Sequence, residues 1–97
     1  MATIKGSIEH EYSVNFTDDS FDSEQFWADW NTHFGGVNSL ADFAEHIAHN
    51  MAVCPTQSFI EGVGPIDGLG NITILNGQGE KVGVALLKWG EIYYVRL

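Results

Sequence analysis

Residues 4–16 alternate without a break: Ile4, Gly6, Ile8, His10, Tyr12, Val14 and Phe16 fall on one side, and Lys5, Ser7, Glu9, Glu11, Ser13 and Asn15 on the other. A period of two predicts a single strand with one buried face over this span. The period then changes. After the Asp/Ser-rich turn at 17–20, Phe26, Trp27, Trp30 and Phe34 recur at helical spacing. Asp22 and Gln25 are placed as a candidate capping box, and Gly35 and Gly36 mark the end. Ser39 opens a second helix with Asp42 three residues on. Leu40, Phe43, Ala44, Ile47 and Met51 form its buried stripe, and Pro55 stops it.

From residue 57 the pattern breaks into short β-rich runs: QSFIEGV, NITIL, VGVALLKW and IYYVRL. GVGPIDGLG (62–70) reads as a wide turn or bulge, and Asn76-Gly77-Gln78-Gly79 between two apolar runs is a strong hairpin signal. The predicted order is β-α-α-β-β-β-β: an α+β fold of mostly antiparallel sheet with the two helices on one face. Val84, Leu86 and Val95 are expected to face those helices. Ala85, Leu87, Trp89, Ile92 and Tyr94 then make a second apolar face, a candidate surface for a homodimer or another partner.

A chain of 97 residues is the size of one domain, so 1–97 is read as a single unit. With 44% apolar residues, including six Phe, three Trp and three Tyr, it has material for a core without staples. Cys54 is the sole cysteine, so no internal disulfide forms. No secretory pattern opens the chain, and its apolar runs fall far short of the ~20 residues that span a bilayer. A soluble protein of a reducing cytoplasm is the expectation.

Charge sharpens the picture. The net charge is −9, and Lys5 and Lys81 bracket 75 residues that hold twelve Asp or Glu and no Lys or Arg. Phosphates are gripped by Lys and Arg, so direct binding to nucleic acid or to an anionic membrane is disfavoured. Within TDDSFDSEQFWADW (17–30), Asp18, Asp19, Asp22, Glu24 and Asp29 stand among aromatic and apolar residues with no cation nearby in sequence.

The candidates for chemistry are weak by comparison. His46 and His49 lie three apart on the second helix, with Asp42 and Glu45 each four residues before one of them, but neither HExxH nor paired CxxC occurs. No metal and no cofactor is expected. His46 and His49 read as solvent-facing polarity, His10 and His33 as partly buried aromatics. Cys54, beside Pro55 at a helix end, lacks the helix N-terminus that would activate a thiol and reads as a small core hydrophobe. GVGPIDGLG has neither GxGxxG nor GxxxxGK[ST] spacing. The reading is non-enzymatic.

The acidic surface remains. Asp22 and Asp29, seven apart, would stand ~10 Å apart on one helix flank. Glu9 and Glu11 would stand ~6.8 Å apart on the outer strand face. Successive phosphates of a nucleic-acid strand are comparably spaced. Asp18, Asp19, Asp22, Glu24 and Asp29, joined by Glu9, Glu11, Asp42 and Glu45, are the candidate partner-binding residues. Their expected partner is a basic nucleic-acid-binding protein or complex. Acidity also serves solubility by itself, and the same surface suits an immunity protein or antitoxin that plugs a nuclease toxin, or a small non-catalytic binding module.

In size, charge and layout, with nine carboxylates and two small helices in residues 9–45, the chain resembles the DNA-mimic members of the phage-encoded anti-CRISPR proteins, in particular the short inhibitors of the type I-F surveillance complex. The resemblance implies a stoichiometric inhibitor that acts in the host bacterial cytoplasm. It would occupy the basic cleft where the surveillance complex, a CRISPR complex, grips target DNA.

Overall fold

The computed structural model describes residues 2–7 and 11–89. Strands β1 (Ala2–Ser7) and β2 (Glu11–Asp18) pair antiparallel, with Ile4 opposite Val14 and Ser7 opposite Glu11. The one strand expected over 4–16 is therefore two. The reason is parity: in this register even-numbered residues face even-numbered ones, so the reversal leaves the apolar alternation in phase. Ile8-Glu9-His10, which lie outside the described residues, include no Gly, Pro, Asn or Asp to signal a turn.

Two helices follow, α1 (Glu24–His33) and α2 (Leu40–Val53). Ser39 caps α2, its Oγ accepting from the Asp42 amide at 3.2 Å as its spacing predicted. The cap of α1 is corrected: Ser23, not Asp22, is the N-cap, its Oγ accepting from the Phe26 amide at 3.2 Å. Gln25 turns away to donate to Asp29.

Strands β3 (Phe59–Ile60) and β4 (Gly64–Pro65) form a small ladder of their own. Strands β5 (Asn71–Leu75) and β6 (Lys81–Trp89) join the main sheet, whose order is β1-β2-β6-β5 with every neighbour antiparallel. The α+β reading holds. The wide turn expected at 62–70 is more ordered than that: Gly64 and Pro65 pair with β3, and Ile66 bridges to Ile72. Asp67 nucleates the remaining bend by accepting from the Leu69 and Asn71 amides and from Asn71 Nδ2. These bonds, led by that of the Asn71 side chain, hold the Asp67 carboxyl below the usual carboxylate range. The β5–β6 hairpin forms where Asn-Gly marked it, with Asn76 Oδ1 accepting from the Gln78 and Glu80 amides.

One core joins both helices to one sheet face. It holds Tyr12, Val14 and Phe16 of β2, Ile72 and Ile74 of β5, Trp27 and Trp30 of α1, and Phe43, Ala44, Ile47 and Met51 of α2. From β6, however, the core takes Ala85 and Leu87, while Val84 and Leu86 are half-buried on the opposite face. This reverses the expected facing. Both alternating sets of β6 are apolar, so periodicity could not choose between them. The pairing with β2 does, setting Ala85 opposite Phe16 and Leu87 opposite Val14.

Trp89 lies opposite Tyr12 on the same inner side, the two rings edge-on at 6.2 Å. The apolar set that suggested a dimer face is thus largely core in its described part. Ile92, Tyr94 and Val95, with the strand expected at 92–97, lie outside the described residues. No described helix is long and apolar enough to cross a membrane.

Candidate functional site

Strand β2 ends at Asp18, and the chain turns through Asp19 to Asp22, the Asp22 amide donating to the Asp19 carbonyl at 3.0 Å. Phe21 pins this turn. Its side chain is buried against Phe16, Phe26, Trp27 and Phe43, in space left by Gly83, where a Cβ would approach it to 2.5 Å. An apolar plug among carboxylates fixes the acidic turn to the core, so the charges are displayed from a rigid support.

The structure brings Asp18, Asp19, Asp22, Glu24 and Asp29 together along this turn and α1. Asp18, Asp22, Glu24 and Asp29 are exposed and Asp19 is half-buried. It does not bring in the others. Glu11 begins β2 seven residues from Asp18, ~24 Å along the strand. Glu45 lies near Tyr12, at that same end: burial first, and the Glu45 charge second, push the Tyr12 phenol upward. Asp42 and Glu45 instead line a shallow hollow on α2 with His46 and His49. Glu9 lies outside the described residues.

Several carboxylates already serve the fold. Asp18 Oδ1 accepts from the Ser20 amide and hydroxyl at 3.2 and 2.7 Å. Asp22 Oδ1 accepts from Trp27 Nε1 at 2.8 Å, Asp29 Oδ1 from Gln25 Nε2 at 2.9 Å, and Asp42 Oδ2 from the Asn38 amide at 3.1 Å. Each of these is a bond from a neutral donor that engages one oxygen, so the charge is kept. The hydroxyl and amide of Ser20, and more weakly Lys81, also hold the Asp18 carboxyl below the usual range, which keeps it anionic in mild acid.

The two-turn spacing expected between Asp22 and Asp29 does not apply, because Asp22 precedes the N-cap and folds back onto the Trp27 indole. Trp27 is buried, so losing that acceptor strands its N–H. Asp22→Ala should cost about 1–3 kcal/mol in urea denaturation, whereas Asp22→Asn, which keeps the acceptor oxygen, should stay within about 0.5 kcal/mol of wild type.

Two of the described lysines are set apart. Lys5 and Lys88 flank Ser13 in one row across β1, β2 and β6, on the sheet face away from the helices. Lys81 is the described cation that acts on Asp18. The charge is thus unevenly spread, with an anionic run on the β2–α1 turn and α1, Lys81 acting at its Asp18 end, and Lys5 and Lys88 across the open sheet.

The other sequence candidates are also relocated. His46 is half-buried rather than solvent-facing: its Nε2 lies 2.8 Å from the Glu61 carbonyl and its ring stands edge-on to Trp30 at 5.1 Å. His33, expected to be partly buried, is exposed. Cys54 is exposed and not in the core, because it caps the C-terminus of α2 as the chain leaves the helix. His10 lies outside the described residues. Among the described residues no three His, Cys, Asp or Glu side chains are grouped to hold a metal.

Sequence reasoning missed a groove of about 1270 Å³ between α1 and the β5–β6 hairpin. Phe34 and Phe59 line it and are 47% and 54% exposed, which is unusual for rings in a chain whose other phenylalanines are half-buried or buried. The one available signal was Phe34 standing directly before Gly35-Gly36, where the helix ends and can no longer cover it. No protein-family model, no curated protein and no solved structure matches this chain.

Proposed function

We propose that the protein is a stoichiometric inhibitor that presents Asp18, Asp19, Asp22, Glu24 and Asp29 to the Lys and Arg side chains of a basic nucleic-acid-binding cleft, displacing DNA as a mimic. A phage anti-CRISPR directed at a CRISPR surveillance complex is the form that its resemblance suggests. The observation that carries this reading is the run of five carboxylates, four of them exposed, on a support pinned by Phe21, with Lys81 acting at its Asp18 end and Lys5 and Lys88 on the open sheet face. A cleft organised for phosphate already holds its cations in position, so a preformed anionic surface can compete by complementarity and steering. No bond is made or broken.

The test keeps the hydrogen bonds and removes the charge. A variant carrying Asp18→Asn, Asp19→Asn, Asp22→Asn, Glu24→Gln and Asp29→Asn retains an acceptor oxygen at every position. Immobilised wild type should retain a nucleic-acid-handling complex from host lysate and release it to duplex DNA and to rising salt. If each lost charge contributes about 0.5 kcal/mol, as an exposed ion pair does, the variant should bind about 70-fold more weakly. Undiminished retention by the variant would sink the proposal. Capture of a nuclease toxin in place of a surveillance complex would convert it to the immunity-protein reading.

A further inference from the structure

We propose that the groove between α1 and the β5–β6 hairpin receives an arginine side chain from the basic partner, an inference that rests on the inhibitor reading above. The floor of the groove is aromatic. Trp30 and Phe34 lie with ring centroids 4.5 Å apart, and Phe59 leaves more than half of its surface to solvent. Its α1 wall is polar, with Asp29 beside Gln25 and with Thr32 and His33 further along the helix. Asp29 gives Oδ1 to Gln25, which leaves Oδ2 for an external donor.

Two exposed rings and a carboxylate that line one groove suit one side chain above the others. A guanidinium is planar and weakly hydrated, stacks on aromatic faces and pairs with a carboxylate through its fork of N–H donors. An ammonium keeps its water and presents a point charge, so lysine gains less from the same floor. The opposite rim carries Lys81, which acts on Asp18, so the α1 wall is the side that a cation approaches. A cleft built for phosphate is rich in arginine, and a groove of this kind offers it a contact that DNA phosphate does not. The ring contact is also less sensitive to salt than the carboxylate run around it.

The experiment titrates the isotopically labelled protein with acetyl-Gly-Gly-Arg-Gly-Gly-amide, following amide and indole resonances by NMR, with lysine and citrulline versions of the peptide in parallel. The arginine peptide should give saturable shifts centred on Trp30, Phe34 and Gly77–Gly79. The lysine peptide should bind about fivefold more weakly, and the uncharged citrulline peptide weaker still. Phe59→Ala and Asp29→Asn should each weaken the arginine peptide about threefold to fivefold while the remaining spectrum stays that of the folded protein. Both positions are exposed, and the amide oxygen that Asp29→Asn introduces would keep the Gln25 bond.

Equal binding of the arginine and lysine peptides overturns the proposal. So does a set of shifts spread over Asp42 and Glu45 as well, or the absence of any saturable shift. The two readings fail separately. An amide variant that still holds its partner removes the inhibitor reading whatever the peptides do, and peptides that ignore the groove remove the arginine pocket even where that partner is lost on charge neutralisation.

Discussion

Phe43→Ala should lose about 3–5 kcal/mol of stability, a large part of the 5–15 kcal/mol that holds a domain of this kind together. The ring has no exposed surface. It sits where both helices meet the sheet, 5.4 Å from Trp27, 5.9 Å from Phe21, 6.0 Å from Phe26, 6.1 Å from Trp30 and 6.3 Å from Phe16, centroid to centroid. Truncation removes the transfer free energy of the ring and leaves a cavity that rigid aromatic neighbours cannot close. Urea denaturation followed by tryptophan fluorescence reads the loss directly. A cost below about 1 kcal/mol would mean that the ring cluster is not the centre of the core, since that is the range expected of the half-exposed Phe59→Ala.

Gly64→Ala should be the most damaging backbone change. Gly64 has φ +150°, and a Cβ there would lie 2.0 Å from the Thr73 carbonyl oxygen. The obstacle is main chain on an adjoining strand, so no side-chain rotation relieves it. The segment must withdraw, which breaks the 2.8 Å bond from the Leu75 amide to the Val63 carbonyl close by. Strain of about 1–3 kcal/mol and one lost hydrogen bond of about 1 kcal/mol together predict roughly 2–4 kcal/mol. Gly77→Ala is the control. Nothing lies within 4 Å of a Cβ at Gly77, so this change should fall within about 1 kcal/mol of wild type. If the two variants melt together, the close approach of β4 to β5 is wrong.

The carboxylates repel one another, yet the chain tolerates them because short acidic side chains are good acceptors for backbone and indole N–H groups. Asp18, Asp22, Asp42 and Asp67 each satisfy a turn, a ring or a helix start, and the bonds come from neutral donors. Local fit therefore explains part of the acidity. It does not explain why five carboxylates follow one another from Asp18 to Asp29 with no Lys or Arg between them in the sequence, and that is the feature the inhibitor reading accounts for.

Legibility followed the range of the interaction. Ser39, the Asn76-Gly77 hairpin, the buried stripe of α2 and the α+β class were read from neighbours a few residues apart, because caps, turns and helical faces are local. The sign of the surface was read from composition alone, since charge needs no fold to be counted. The hairpin hidden in residues 4–16 escaped because its register keeps even residues opposite even ones. The facing of β6 escaped because both of its sides are apolar, and only the pairing of Ala85 with Phe16 chooses between them.

What the tertiary structure alone decided is the grouping. It separated Glu11, Asp42 and Glu45 from the α1 carboxylates and moved Lys5 and Lys88 onto the open sheet face. It also exposed Phe34 and Phe59 along one groove. Each of these depends on contacts between segments tens of residues apart, above all the placement of β2 beside β6, and no periodicity within a segment encodes which distant surface it will meet.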